Sequence, residues 1–337
     1  MAGSGTAHLR GDEALLTVRE LVVEHPTDAG TVQAVSGVSF DVLPGQTLGI
    51  VGESGCGKST TGRAVLRLDR ATSGTITFDG GRIDLANGAQ LRALRRDLQM
   101  VFQDPVASLN PRRRVKDIVA EGLTIAGMPA AERSAKTATA LSQVGLEYDR
   151  FADMMPRQLS GGQAQRVAIA RALALGPKLL ICDEPVSALD VSVQAQTLNL
   201  IEEIKSAYAL TVVFIAHDLG VVRAVSDDVL VMYLGKVCEV GDAEEIYERP
   251  AHPYTRALLD SVPLIDTERG FAGPALAGDI PSPLSPPSGC RFRTRCPLAQ
   301  ERCVTHEPEL RQVLQGRHVA CHFPLVDTST ADESPVR

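Results

Sequence analysis

The segment that most constrains this chain is a glycine-rich loop with the sequence GESGCGKS at residues 52–59. It matches the pattern G-x-x-x-x-G-K-[S/T]. Its context supports the match, because an apolar run at Thr47–Val51 predicts a strand before it and Ser59–Leu68 predicts a helix after it. Glycines let backbone N–H groups surround phosphate oxygens, and a helix N-terminus adds a favourable dipole. The loop therefore predicts a phosphate-binding turn between a strand and a helix.

The same loop predicts which side chains contact a nucleotide. Lys58 is placed to reach the β- and γ-phosphates, and the Ser59 hydroxyl is placed to bind Mg²⁺. ATP and Mg²⁺ are thus the expected ligands. The expected nucleotide contacts in this segment are Gly52, Ser54, Gly55, Cys56, Gly57, Lys58, Ser59 and Thr60.

A pair of carboxylates follows a second apolar strand. Leu179–Cys182 predicts a buried strand, and Asp183 and Glu184 come directly after it. Asp183 fits the second Mg²⁺ contact that such sites use, and Glu184 is placed to orient or deprotonate the attacking water. The alternative is that the two carboxylates mark a solvated strand end without a catalytic role. The phosphate loop upstream favours the catalytic interpretation.

Two further polar residues follow predicted strands. Gln103 comes after the strand-like segment Leu98–Phe102, and its side-chain oxygen is a candidate ligand of Mg²⁺ or of the attacking water. His217 follows the predicted strand Thr211–Ala216, and an imidazole near the γ-phosphate would respond to hydrolysis. Taken singly, such a Gln is more often a surface residue and such a His more often a structural one.

The order of predicted elements gives the fold class. Strand-like segments at 15–23, 32–42 and 75–78 surround the phosphate loop, and apolar residues recur at helical spacing between Gln90 and Ser160. From Leu179 onward strands alternate with helices, which predicts a mainly parallel sheet with helices on both faces. We therefore expect an α/β nucleotide-binding core with an antiparallel β layer and a helical subdomain.

Composition sets the domain limits and excludes some function classes. A net charge of −7 does not favour nucleic acid as a partner, and no apolar run reaches the roughly 18 residues of a membrane span. The N-terminus does not resemble a signal peptide, so a cytoplasmic location is expected. The predicted segments are a disordered N-terminus (1–12), a nucleotide-binding domain (13–250, with its helical insert at about 90–165), a Cys-rich C-terminal extension (251–325) and a disordered tail (326–337).

A third motif, LSGGQ at residues 159–163, stands between the phosphate loop and the carboxylate pair. With Gln103, Glu184 and His217 in this order, the chain resembles the ATP-binding subunits of ABC transporters over roughly residues 15–250. The resemblance implies ATP hydrolysis by two subunits that sandwich two ATP molecules head to tail. It also implies contacts with nucleotide or with the opposite site for Ser160, Gly161, Gly162, Gln163 and Asp190, and places His25 where family members stack adenine on an aromatic ring.

Further segments resemble one group within this family, the di/oligopeptide and nickel importers. They are DPVASLNPRRR at 104–114, RPAHPYT at 249–255 and the segment 280–297, which ends in GCRFRTRCP. The resemblance implies two separate membrane permease subunits, a second and non-identical ATPase subunit, an extracytoplasmic substrate-binding protein, and a peripheral position at the cytoplasmic face of the inner membrane. Peptide is preferred over nickel as the commoner solute. The alternative is an ABC ATPase of translation or DNA repair, but those usually have two ATP domains or a coiled-coil insert.

Four cysteines crowd into the C-terminal extension: Cys290, Cys296, Cys303 and Cys321. Structural disulfides are not expected in a cytoplasmic chain, and the paired C-x-x-C spacing of zinc ribbons is absent. The resemblance to peptide-importer ATPases implies a [4Fe–4S] cluster held by these four thiolates. Zinc, or a module without metal, are the alternatives.

Overall fold

The structure is a computed structural model, and it describes residues 5–187, 189–261 and 278–326. Most of the predicted tail at 326–337 and the first four residues of the predicted disordered N-terminus lie outside the described residues. Within the rest of that N-terminal segment, Arg10 forms ion pairs with Asp41 and Asp228, and the His8 ring lies 5.6 Å from the His318 ring.

Twelve strands are present in the described residues. They are β1 (Leu16–Thr27), β2 (Gly30–Val42), β3 (Thr47–Val51), β4 (Ser73–Phe78), β5 (Gly81–Arg82), β6 (Leu98–Val101), β7 (Leu179–Asp183), β8 (Thr211–Ala216), β9 (Asp228–Tyr233), β10 (Lys236–Asp242), β11 (Arg311–Leu314) and β12 (Arg317–Val319).

Thirteen α-helices are present in the same part of the chain. They are α1 (Lys58–Val65), α2 (Gly88–Asp97), α3 (Pro105–Ser108), α4 (Val115–Val119), α5 (Glu121–Ile125), α6 (Ala130–Gln143), α7 (Tyr148–Phe151), α8 (Gly161–Leu173), α9 (Val191–Tyr208), α10 (Leu219–Val225), α11 (Ala243–Glu248), α12 (Pro253–Asp260) and α13 (Glu301–Thr305). None of the helices described is both long enough and apolar enough to span a membrane.

The chain divides into two compact units. The first unit comprises Met1–Leu43, Thr47–Leu85 and Ala216–Arg337, and the second comprises Pro44–Gln46 and Ala86–Ile215. The first unit is therefore assembled from three separate stretches of chain, whereas the second is almost one continuous stretch.

The first unit contains an antiparallel sheet of order β2-β1-β4-β5 and a second set of strands of order β11-β12-β10-β9-β3. β3 pairs with β9 in parallel, with Ile50 opposite Leu230, and all five residues of β3 are buried. A strand covered on both faces reads as a continuous apolar run, which is why the sequence predicted β3 with its observed bounds. Strands β10, β11 and β12 are antiparallel and were not predicted.

The second unit contains β6, β7 and β8 in parallel, surrounded by α2 to α9. Val101 of β6 lies opposite Cys182 of β7, so both strands end at the same edge. The predicted helical insert is present as several helices, which are separated at residues such as Gly127 and Gly145, both with positive φ. An α/β fold with an antiparallel β layer is thus confirmed, and the sheet is mixed because of the antiparallel C-terminal strands.

Candidate functional site

The phosphate loop joins β3 to α1 in the first unit. Gly52, Gly55 and Gly57 have φ of 153°, 76° and 104°, a region that side chains with a Cβ rarely adopt. A Cβ on Gly57 would lie 2.2 Å from the carbonyl oxygen of Ala34, and one on Gly52 would lie 2.1 Å from that of Met232. Glycine is therefore required at both positions by conformation and by the close approach of neighbouring backbone.

Lys58 begins α1 and its side chain is 3 % exposed. Its Nζ donates to the carbonyl oxygens of Gly52 at 2.7 Å and Glu53 at 3.1 Å. These bonds hold a buried positive charge inside the loop, where phosphate oxygens would bind. Burial raises the pKa of the neighbouring Cys56 thiol, so Cys56 is a neutral core residue and not a reactive one.

A contact from the C-terminal part of the same unit reaches the loop, and the sequence did not predict it. Arg295 donates to both carboxylate oxygens of Glu53, at 2.6 and 3.1 Å. The Glu53 backbone N–H donates to the Tyr254 hydroxyl at 2.9 Å. Tyr254 lies in the segment RPAHPYT and Arg295 in the segment GCRFRTRCP. The sequence identifies both segments only by their resemblance to peptide-importer ATPases.

In the second unit, Gln103 and Glu184 are brought together. The Gln103 Nε2 donates to the Glu184 Oε2 at 2.8 Å. Asp183 is the last residue of β7 and is 5 % exposed. Glu184 has a φ of 45°, and its N–H donates to the carbonyl oxygen of Ile215 in β8. The strained backbone and this bond turn the chain sharply after β7 and fix where the Glu184 side chain starts.

The LSGGQ motif forms the N-terminus of α8. Ser160 is the N-cap, its Oγ accepts from the Gln163 N–H at 3.3 Å, and the Gln163 Oε1 accepts from the Ser160 N–H at 2.9 Å. This capping box leaves Ser160 and Gly161 exposed at a helix N-terminus, which is a favourable place for an anion. A Cβ on Gly162 would lie 2.7 Å from Val193 Cγ1, so this glycine allows α8 to approach α9.

Asp190 is the N-cap of α9 and is exposed. Its Oδ1 accepts from the Val193 N–H at 3.0 Å and from the Ser192 hydroxyl at 2.7 Å. These hydrogen bonds, first that from Val193, lower the pKa of Asp190, so it is ionised at neutral pH.

The two histidines singled out in the sequence lie in the first unit. His25 is exposed on β1, opposite Val32 of β2. His217 directly follows β8 and is also exposed. Among the predicted site residues, hydrogen bonds hold Lys58 to its own loop and join Gln103 to Glu184.

The four C-terminal cysteines line one open pocket, together with His252, Phe292 and Phe323. All are free thiols. Burial raises the pKa of Cys290 to about 11 and that of Cys321 to about 12. Among the residues the structure describes, no group of three or more His, Cys, Asp or Glu side chains is arranged to hold a metal ion.

Comparisons with known proteins agree with these features. The ABC transporter family model matches residues 35–187, and the oligopeptide/dipeptide transporter C-terminal region matches residues 238–303. The di/tripeptide transport ATP-binding protein DppF of Pseudomonas aeruginosa is 48 % identical, over 92 % of this chain and 98 % of that protein. The oligopeptide transport ATP-binding protein AppF of Bacillus subtilis is 51 % identical, over 87 % and 90 %.

Solved structures are similar to about two thirds of the chain. The ATP-binding cassette MJ0796, a dimer in a post-hydrolysis state bound to ADP and Pi, is 30 % identical with a TM-score of 0.62, and covers 68 % of this chain and 98 % of that one. The cbiO1 protein of Clostridium perfringens, part of the ABC transporter complex cbiONQ, is 31 % identical with a TM-score of 0.63, over 70 % and 92 %.

Proposed function

The chain belongs to the ATP-binding proteins of ABC transporters, and from that premise we propose that it hydrolyses ATP to power the import of di- or oligopeptides. One observation carries the proposal. A phosphate loop with its hydrolytic residues and a C-terminal region of the oligopeptide/dipeptide transporter type occur in one chain. Relatives named for di/tripeptide and oligopeptide transport match it along nearly their whole length. In the proposed division, residues 13–250 bind the nucleotide and 251–325 form the peptide-transporter extension.

In the proposed mechanism, loop N–H groups and Lys58 hold the ATP phosphates. The Glu184 carboxylate orients a water and takes its proton as the water oxygen attacks the γ-phosphorus, and the bond to the ADP oxygen breaks, which gives ADP and phosphate. Gln103 keeps Glu184 in place through its hydrogen bond. Ser59, Gln103 and Asp183 offer the hydroxyl, amide and carboxylate oxygens that Mg²⁺ prefers, and the ion would neutralise charge on the phosphates when bound. His217 would contact the γ-phosphate, and His25 would contact the adenine.

The working unit in this proposal has two ATPase subunits. Ser160, Gly161, Gly162 and Gln163 at the start of α8 would close the ATP site of the partner, since an anion is best held by N–H groups and hydroxyls on two sides. Asp190 would face the other site across the interface. The dimeric state of MJ0796 with ADP and Pi supports this arrangement. We propose that the second subunit is a similar but non-identical ATPase.

The remaining partners follow from the importer class. Two permease subunits in the inner membrane would bind this protein at their cytoplasmic face, and an extracytoplasmic binding protein would deliver the peptide. The matched C-terminal region supports a peptide transporter over other importers.

We also propose that Cys290, Cys296, Cys303 and Cys321 hold a [4Fe–4S] cluster. The support is chemical: four free thiols line one cavity with apolar and aromatic neighbours, which is the donor set of such clusters. When bound, the cluster would tie together the loop that carries Cys290 and Cys296, helix α13 and the segment after β12. No transport step is assigned to it.

Reconstitution tests the proposed function. This protein, its permease pair and a second ATPase are placed in proteoliposomes with the binding protein, and ATP-dependent uptake of a labelled dipeptide, a labelled pentapeptide and nickel is measured. Peptide uptake that requires ATP, and is lost with Glu184→Gln, supports the proposal. Uptake of nickel alone, or ATP hydrolysis that no permease stimulates, contradicts the peptide assignment.

A further inference from the structure

Glu53, the second residue of the phosphate loop, is held at both its backbone and its side chain by residues from the C-terminal part of the chain. Its N–H donates to the Tyr254 hydroxyl at 2.9 Å. Its two carboxylate oxygens accept from Arg295 Nη1 at 2.6 Å and Nη2 at 3.1 Å. A bidentate pair of this kind fixes both the position and the orientation of the carboxylate.

Arg295 itself is firmly placed. Its side chain is 4 % exposed, against 22 % for Glu53. The guanidinium lies over the Tyr233 ring, 5.8 Å from its centroid, and Arg295 Nη1 donates to the Tyr233 hydroxyl at 3.4 Å. Tyr233 packs edge-on against Tyr254 and Phe292, with centroids 4.7 and 5.3 Å away. Arg295 is therefore anchored in an aromatic cluster, so it restrains Glu53 more than a flexible surface arginine would.

The restraint passes from Glu53 to the atoms that would meet phosphate. The carbonyl oxygen of Glu53 accepts from Lys58 Nζ at 3.1 Å and from the Cys56 N–H at 3.3 Å. Fixing Glu53 thus fixes part of the loop around the Lys58 ammonium. The guanidinium has a second effect, because it neutralises a carboxylate that would otherwise repel the phosphates of a nucleotide.

We propose that Arg295 is a positioning residue for ATP: through Glu53 it holds the phosphate loop in the conformation that binds phosphate and cancels the charge of the loop carboxylate. This inference rests on the proposed function, because it takes ATP as the ligand of the loop. It gives the GCRFRTRCP segment a role in nucleotide binding that is separate from cysteine chemistry.

The test compares Arg295→Met, Arg295→Lys and the control Arg293→Met in the full-length chain. Arg293 belongs to the same segment, but its side chain donates to the carbonyl and hydroxyl oxygens of Ser288. Arg295→Met is expected to raise the KM for ATP about tenfold with kcat within about twofold. Arg295→Lys keeps the charge and loses the bidentate geometry, so a smaller rise is expected, and Arg293→Met should leave KM unchanged. If the substitution only unfolded part of the protein, a smaller fraction of the molecules would be active. The apparent kcat would then fall, whereas the KM for ATP would stay constant.

A double-mutant cycle with Glu53→Gln completes the test. If Arg295 acts through Glu53, Glu53→Gln/Arg295→Met should raise KM no further than Arg295→Met alone. Additive effects, or an unchanged KM in folded Arg295→Met, overturn the inference. If Arg295→Met does not fold, Arg295→Lys and Glu53→Gln replace it in the test. A raised KM for ATP in these variants supports the inference, and an unchanged KM overturns it. Wild-type protein that neither binds nor hydrolyses ATP would refute the proposed function itself.

Discussion

The side-chain amide of Gln103 donates a hydrogen bond of 2.8 Å to the carboxylate of Glu184. The two residues are far apart in sequence, and they meet because β6 and β7 are parallel neighbours that end at one edge. The bond orients the carboxylate that we propose as the general base.

Glu184→Gln should abolish hydrolysis while ATP still binds. The amide has nearly the shape of the carboxylate but cannot take a proton from water, so we expect kcat to fall by at least about 100-fold, with the ATP dissociation constant changed by less than about threefold. Phosphate release and binding of a fluorescent ATP analogue measure the two quantities. Glu203→Gln, at an exposed site on α9, is the matched control. Normal turnover in Glu184→Gln would remove Glu184 from the mechanism.

Ser160 allows the partner contact to be tested without damaging the helix. Ser160→Asp keeps an N-cap acceptor for α8 and suits the helix dipole, so the melting temperature should not fall. The added negative charge should, however, repel the γ-phosphate of the partner's ATP. We expect ATP-driven dimerisation, measured by light scattering, to weaken by at least about tenfold.

The neutral variant Ser160→Asn is the control for that experiment, since it also caps the helix but adds no charge. In mixed dimers, one Ser160→Asp subunit should disable the ATP site of its partner and leave its own site intact. If both sites work normally in such dimers, this serine does not face a partner's nucleotide.

Iron analysis tests the cysteine cavity. Protein purified without oxygen should contain about four iron and four sulfide per chain and absorb broadly in the visible range. Cys303→Ser should lose most of the iron, whereas Cys182→Ala, which changes a buried β7 residue in the other unit, should keep it. A colourless wild-type protein with zinc, or with no metal and full activity, would show that the cluster proposal is wrong.

Glu239 and Arg317 form an ion pair that is almost entirely buried, with side chains 0 % and 2 % exposed. Glu239 accepts from the N–H groups of Ala251 and His252, each at 2.9 Å. Burial raises the pKa of Glu239, and the hydrogen bonds and Arg317 oppose that shift. Glu239→Gln should lower the free energy of unfolding by about 3–5 kcal/mol, because it removes the buried negative charge that compensates the Arg317 guanidinium.

Urea unfolding followed by circular dichroism measures that loss. Glu245 also contacts Arg317 but is 60 % exposed, so Glu245→Gln should cost less than about 1 kcal/mol. Glu239→Gln/Arg317→Met should be more stable than the sum of the two single losses predicts. Additive losses would mean that the two side chains do not interact.

His252 should make stability depend on pH. Its Nδ1 accepts from the Tyr254 N–H at 3.0 Å, and burial lowers its pKa to about 4 from 6.5. The folded chain therefore keeps this ring neutral, whereas the unfolded chain protonates it below pH 6.5. The stabilisation is complete above pH 6.5 and is lost as the pH falls to about 4, on the order of 3 kcal/mol in total.

His252→Asn provides the comparison, because asparagine caps α12 without titrating. The stability difference between wild type and His252→Asn should be largest at pH 7.5 and should shrink at pH 5. A difference that stays constant over this range would show that His252 is not kept neutral by the fold.

Segments with a simple apolar pattern could be predicted from the sequence. Strands β3 and β8 have the predicted bounds, because each is a short apolar run between turn residues. Strand β10 was missed, since its buried residues include Glu239 and Cys238 and its partner β12 comes much later in the chain. The buried carboxylate of Glu239 is explained by the N–H groups of Ala251 and His252 and by the Arg317 side chain, which only the tertiary structure brings to it.

The sequence also predicted some residues of the candidate site but not the contacts between distant segments. Gln103 and Glu184 each follow a predicted strand, but only the structure shows that these two strands are parallel neighbours. The bond from Arg295 to Glu53 could not be foreseen, because 242 residues separate the two and no periodic pattern connects them. A contact between a loop and a segment distant in the sequence can be identified only from the tertiary structure.

The division of the first unit into three stretches has a consequence for synthesis on the ribosome. The second unit is almost continuous in the chain, whereas β3 needs β9 as its parallel neighbour. At translation rates of 5–20 residues per second, β9 emerges roughly 10–40 s after β3. During that interval the five residues of β3, which are buried in the folded chain, lack their β9 partner, so the nascent chain has to be protected from aggregation until β9 has been made.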